Sequence, residues 1–209
     1  DIAIERRYQL EACIARGAFG EVLRARDRAT GDFVAIKRLH EHLVSAEATG
    51  RLLREADRIA AVDSPYVVRC FGWGRDDAGR PCLVLEHIEG QDLGRRRAGH
   101  SVTEGIEIAR QAAEGLRAIH AAGFVHGDVK PSNVVVSEGS GAIAIKLIDL
   151  GVARKIGESD PALRGLIVGT PSYMSPEQAR GDESIAPASD LFSLGVVLYE
   201  MLAGRRPFT

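Results

Sequence analysis

The segment His126-Gly127-Asp128-Val129-Lys130-Pro131-Ser132-Asn133 packs an acid, a cation and an amide into six residues, and sixteen residues beyond Asn133 the chain supplies Asp149-Leu150-Gly151. Upstream, residues 103–122 place Ile106, Ala109, Ala113, Leu116, Ile119 and His120 at helical spacing. Downstream, short apolar runs at 133–137 and 144–148 read as strands. Either polar piece alone would read as an Asx turn. Together, two carboxylates and an amide at the ends of paired strands form a hard oxygen site of the kind Mg²⁺ favours, with phosphates supplying further ligands.

Towards the N-terminus, β-type runs at 9–14, 22–26 and 33–39 are separated by a glycine-containing loop at 15–20 and the turn Thr30-Gly31-Asp32. Residues 45–61 carry Ala48, Leu52, Ala56, Ile59 and Ala60 at helical spacing. Strand character returns at 66–73 and 81–88 across the turn Asp76-Asp77-Ala78-Gly79. The spacing predicts a five-stranded sheet interrupted by one helix, a boundary near 87–92, and a mainly helical remainder ending in an apolar helix at 188–203.

Two features of the front part carry chemistry. Glycines in Ala15-Arg16-Gly17-Ala18-Phe19-Gly20 let backbone N–H groups approach phosphate oxygens that a Cβ would obstruct, although an ordinary hairpin loop has the same composition. Val34-Ala35-Ile36-Lys37 puts an ammonium at the end of a strand. Glu55 stands three residues after Leu52 and four before Ile59, on or beside the inward face of the 45–61 helix. An unpaired carboxylate there is costly, so Glu55 needs a cation, and Lys37 is the candidate.

Composition bounds the rest. The chain has 209 residues, 45% hydrophobic and 27% charged, which predicts a folded globular protein of one domain or two packed lobes. With 27 Lys and Arg against 29 Asp and Glu, the net charge of -2 offers no basic excess for a nucleic-acid backbone. Residues 191–204 are nearly apolar but carry Glu200, and this run of 14 falls short of the ~20 residues of a membrane span. The opening Asp-Ile-Ala-Ile-Glu-Arg-Arg does not read as a secretory signal. Cys13, Cys70 and Cys82 are odd in number and lack metal or redox-pair spacing, so reduced thiols and a cytoplasmic location are expected.

This set of motifs, in this order and over nearly the whole chain, resembles the eukaryotic-type protein kinase family. It includes the glycine loop, Lys37, Glu55, the Asp128 segment, Asp149-Leu150-Gly151, Gly169-Thr170-Pro171-Ser172-Tyr173-Met174-Ser175-Pro176-Glu177 and Asp190-Leu191-Phe192-Ser193-Leu194-Gly195. The Tyr173 to Gly181 stretch looks most like the bacterial Ser/Thr branch. The resemblance implies an α+β, bilobal fold with a small β lobe over 1–88 and a partial helical lobe over 89–209, and a Ser/Thr kinase using ATP and Mg²⁺ on protein substrates.

Carried over by position, Asp128 would orient the substrate hydroxyl proton, Lys130 would neutralise charge on the γ-phosphoryl, and Lys37 would hold the α- and β-phosphates while Glu55 fixes it. Asn133 and Asp149 would hold the metal. Gly17, Phe19 and Gly20 would form the lid over the phosphates. Leu85 would be the gatekeeper, the backbone of Glu86 and Ile88 would read the adenine edge, and Val22, Ala35 and Val135 would sandwich the ring. Asp92 would meet the ribose, and Ile14 completes the cofactor-binding set.

The chain departs from the family at four points. Ala15 replaces the first loop glycine, Leu150 replaces the usual Phe, and Gly127 replaces the Arg that receives an activation-loop phosphate. The chain also stops at Thr209, which predicts a fragment, self-association, or a missing part supplied elsewhere, and removes the Arg that normally pairs Glu177. Two other functions compete. A small-molecule phosphotransferase of the aminoglycoside or choline kinase type shares His126-Gly127-Asp128, but Lys130 and the 169–177 segment stand against it. A pseudokinase scaffold is opposed by the presence of Lys37, Glu55, Asp128, Asn133 and Asp149.

Overall fold

A computed structural model describes residues 2–96, 101–139, 142–157, 170–182 and 185–208. The chain divides into two units, residues 1–61 with 68–88, and residues 62–67 with 89–209.

In chain order the first unit contains β1 (Ile2–Ala3), the single-turn helix α1 (Ile4–Arg7), β2 (Tyr8–Arg16), β3 (Gly20–Asp27), β4 (Phe33–Leu39), α2 (Ala46–Ala60), β5 (Cys70–Arg75) and β6 (Pro81–Glu86). The strands form one sheet in the order β1-β5-β6-β4-β3-β2. The sheet thus has six strands rather than five. The extra one, β1, runs parallel to β5 with Ile2 opposite Gly74, and two residues carry no periodicity by which a sequence reading could find them.

Strand alternation sends Leu23, Ala25, Val34, Ile36, Cys82 and Val84 to one face, where Ile4 and Tyr8 cover them. The same alternation gives the opposite face Ala35, Lys37, Leu83 and Leu85. Helix α2 packs against β5 and β6 through a buried stripe of Leu52, Glu55, Ala56 and Ile59. Its start is fixed by Ser45, whose hydroxyl accepts from the Ala48 N–H at 3.1 Å, a cap worth about 1 kcal/mol. The 15–20 loop is shorter than its composition predicts. β2 runs on to Arg16 and β3 begins at Gly20, so only residues 17–19 lie outside the ladder.

The second unit contains β7 (Gln91–Asp92), α3 (Val102–Ala121), β8 (Phe124–Val125), β9 (Val134–Gly139), β10 (Ala142–Leu147), β11 (Arg154–Lys155), α4 (Pro176–Arg180) and α5 (Pro187–Ala203). β10, β9 and β7 form an antiparallel sheet, and β8 pairs with β11. The strand expected at 66–73 is two different things. Tyr66 accepts from the Leu147 N–H at 2.8 Å and Val67 bridges to Leu147, inside the second unit, while β5 of the first unit starts only at Cys70.

The buried face of α3 is also rotated from the expected one. Ile108, Ala112, Leu116 and Ile119 face inward and Ile106 is 54% exposed. Gln111 shares the buried face because its amide donates to the Ile143 carbonyl at 2.8 Å and accepts from the Ile145 N–H at 3.0 Å, pairing with β10 as a strand would. Helix α5 buries Leu194, Val196, Val197 and Met201 and leaves Leu191, Tyr199 and Leu202 exposed. No helix among the described residues is long and apolar enough to cross a membrane.

Candidate active site

Each unit gathers its own part of the expected site. In the first, Lys37 Nζ lies 2.7 and 2.9 Å from the two carboxylate oxygens of Glu55. The Glu55 side chain is only 4% exposed, so the pair meets the need of a buried carboxylate. The ladder brings Val22 opposite Lys37 and Ala35 opposite Leu85, grouping four of the predicted ligand-facing residues on adjacent strands. Glu86, one of the two predicted adenine-edge residues, donates its backbone N–H to the Arg69 carbonyl at 2.9 Å.

The loop glycines have unequal reasons. A Cβ on Gly20 would lie 2.1 Å from the Arg38 carbonyl oxygen, so strand packing alone demands glycine there. Gly17 has only one atom near such a Cβ, the Gly20 oxygen at 3.9 Å, and its N–H closes the loop onto that oxygen at 2.8 Å. Phe19 at the tip is 76% exposed and Ile14 on β2 is 41% exposed.

In the second unit, Asp128 is the centre of a compact polar group. Its Oδ2 accepts from Lys130 Nζ at 2.6 Å, its Oδ1 accepts from the Thr170 hydroxyl at 3.3 Å, and Lys130 also donates to Thr170 Oγ1 at 3.0 Å. Asn133 donates its amide to the Asp128 carbonyl at 2.9 Å and to Oδ2 at 3.3 Å. Asp92 lies opposite Val135 in the β7–β9 ladder, and Arg95 binds both Asp92 oxygens, at 3.0 Å through its N–H and 3.2 Å through Nε.

Asp149 has φ 67, a left-handed conformation that costs a non-glycine residue about 1–2 kcal/mol. Flanking bonds hold it. The Ile148 N–H donates to the Asn133 carbonyl at 3.0 Å, and the Gly151 N–H donates to Asp149 Oδ1 at 3.3 Å. Asn133 and Asp149 are thereby tied through adjacent backbone.

This arrangement fits a hard divalent cation completed by ligand phosphates. Asn133 turns its amide nitrogen inward, and among the described residues nothing donates to its Oδ1. No cluster of three His, Cys, Asp or Glu among the described residues is arranged to hold a metal without such help.

The loop carrying Asp128 is anchored by residues to which the sequence reading gives no role. Asp190, 1% exposed on α5, accepts from the N–H groups of His126 and Gly127, both at 2.8 Å, and from His120 Nε2 at 2.7 Å. Gln178 donates to the Gly127 carbonyl at 2.8 Å, and Gly127 itself has φ 75. The available signal for Asp190 was a carboxylate at the start of the apolar run at 188–203, heading the Asp190-Leu191-Phe192-Ser193-Leu194-Gly195 motif. For Gln178 the signal was weaker, a polar residue three after Ser175, with which it forms a capping box.

Glu177 accepts from the Ser189 hydroxyl. Burial opposes its ionisation, but this bond and others around it outweigh that and hold the carboxyl below its ordinary range.

The chain belongs to the protein kinase domain family, which matches residues 8–209. It is 37% identical to the serine/threonine-protein kinase pkn2 of Myxococcus xanthus over 99% of this chain and 25% of that protein. It is 34% identical to the serine/threonine-protein kinase PknA of Mycobacterium tuberculosis over 99% of this chain and 49% of that protein. A probable serine/threonine-protein kinase of Corynebacterium efficiens is 36% identical over 97% of this chain and 31% of its own length. The chain thus spans a quarter to a half of the length of these relatives.

Proposed function

We propose that the protein transfers the terminal phosphoryl group of ATP, with Mg²⁺, to Ser and Thr hydroxyls of protein substrates. The observation that carries this is the joint hold of Lys130 and Thr170 on Asp128. When bound, ATP supplies the phosphoryl group and its cation supplies charge neutralisation, for which Asn133 and Asp149 are the fitting ligands. Asp128 accepts or orients the proton of the attacking hydroxyl, and Asn133 and Thr170 fix the direction of its carboxylate. Lys130 offsets negative charge near that carboxylate, while Lys37, aimed by Glu55, meets the non-transferred phosphates. Such chemistry asks for positioning and charge compensation rather than covalent steps.

A protein substrate is favoured over a small alcohol because Thr170 belongs to the 169–177 segment, which the family uses as a substrate platform, and this segment reaches the reacting group through Lys130. The His126-Gly127-Asp128 sequence supports a subtype without the phosphate-receiving Arg, and dependence on ATP favours a cytoplasmic setting. Incubation with ATP, Mg²⁺ and a generic protein, followed by acid hydrolysis, should yield phosphoserine or phosphothreonine. Only phosphotyrosine, or only phosphorylated small alcohols, would overturn the reading.

A further inference from the structure

The glycine loop is held by a residue outside the expected site. His40, the residue after β4, engages two loop carbonyls. Its backbone N–H donates to the Phe19 oxygen at 3.1 Å, and its Nε2 lies 2.9 Å from the Gly17 oxygen. A carbonyl oxygen only accepts, so Nε2 carries the proton in this contact. The His42 ring stacks on His40, with centroids 5.7 Å apart and planes 9° apart, which steadies the imidazole. Any residue but proline at 40 would make the first bond; the second needs the side chain.

Peptide geometry gives the consequence. The Gly17–Ala18 peptide is trans, so its N–H points opposite to its C=O. With the Gly17 carbonyl drawn to His40, the Ala18 N–H faces the other way, and among the described residues nothing accepts from the N–H groups of Ala18 or Phe19. Glycine at 17 leaves this peptide plane free to turn over, which would present a carbonyl oxygen where a phosphate needs a donor.

We infer that His40 is a positioning residue for the nucleotide phosphates: its imidazole latches the Gly17 carbonyl aside and keeps the Ala18 N–H available to a phosphate oxygen. The inference rests on the proposed role of this loop in ATP binding. The test is calorimetric titration of the wild type, His40→Ala and His40→Gln with a non-hydrolysable ATP analogue plus Mg²⁺ and, separately, with adenosine.

Losing one hydrogen bond predicts roughly 3- to 10-fold weaker binding of the analogue by His40→Ala, with adenosine affinity kept within about twofold. His40→Gln, whose amide nitrogen has similar reach, should recover most of the loss. In turnover, KM for ATP should rise in His40→Ala while kcat stays within about twofold. Unchanged analogue binding in His40→Ala, an equal loss of adenosine, or no recovery by His40→Gln would overturn the latch alone. A wild type that binds the analogue no better than adenosine would overturn the phosphate-loop reading and the latch with it.

Discussion

Gln178 donates its side-chain amide to the Gly127 carbonyl at 2.8 Å, and Asp190 accepts the Gly127 N–H at the same distance. Both backbone polar groups of Gly127 are thus satisfied within the fold. No cation stands at 127 to be compensated by a phosphate. Residues 160–169 contain no Ser, Thr or Tyr. Activity should therefore persist without loop phosphorylation. Phosphatase treatment, checked by mass spectrometry, should leave initial rates unchanged. A large fall that returns on rephosphorylation of Ser159, Thr170 or Ser172 would disprove it.

The same contact has a stability consequence. Gln178→Leu strands the buried Gly127 carbonyl and should cost about 1–3 kcal/mol in urea unfolding, with turnover reduced as the loop loosens. Gly127→Ala faces φ 75 and an Ile185 Cδ1 atom 3.3 Å from the new Cβ, and should cost about 1–2 kcal/mol. Variants as stable as the wild type would show that the loop tolerates other conformations.

Lys37→Met should leave Glu55 buried without its ammonium and cost about 3 kcal/mol of stability, together with roughly 100-fold or greater loss of turnover. Glu55→Gln keeps an acceptor for Lys37 and should unfold closer to the wild type than Lys37→Met does. Denaturant midpoints and initial rates measured on one preparation separate the two effects.

Asp128→Asn should keep the melting temperature near the wild type and lower kcat by about 10²–10⁴-fold, because an amide cannot take the hydroxyl proton. Asp149→Ala should instead abolish the metal-dependent part of nucleotide binding. Titration with an ATP analogue, with and without Mg²⁺, distinguishes them. Metal-independent binding that Asp149→Ala leaves untouched would remove Asp149 from the ligand set.

Burial pushes the Cys82 thiol up to about 12, and the nearby Asp76 carboxylate adds to the effect. Because the folded value is raised above the ordinary 9, the neutral thiol's contribution to stability is complete below pH 9 and is lost as pH rises from there towards 12. Iodoacetamide at pH 8 should label exposed Cys13 quickly and Cys82 only after unfolding. Equal labelling rates, read by peptide mass spectrometry, would contradict the burial.

What the sequence reveals here follows from chemistry that leaves a pattern. Glu55 was assignable to Lys37 because a carboxylate on an apolar helix face is a physical anomaly, and the 2.7 Å pair resolves it. Helices α2, α3 and α5 lie within a residue or two of their predicted spans because their apolar repeats are long. Register is another matter. Counting apolar residues puts Ile106 on the buried face of α3, whereas Gln111 occupies that face through bonds to β10 that no periodicity encodes. Gly20 looked like a phosphate-loop residue, and the carbonyl of Arg38 turns out to require it. Roles that depend on distant partners, such as those of Asp190 and Gln178, stay hidden until the chain is folded.

The first seven residues bear on how this protein should be trimmed for expression. The family model's match begins at residue 8, which invites a start codon there. Yet Ile4 is 1% exposed against β-sheet side chains, Ile2 extends the sheet edge, and Glu5 accepts from the Asp77 N–H at 3.1 Å. Cutting at 8 would strip one lid from the Leu23–Val84 cluster and uncover the edge of β5, inviting aggregation of a recombinant product whose proposed catalytic residues are all intact.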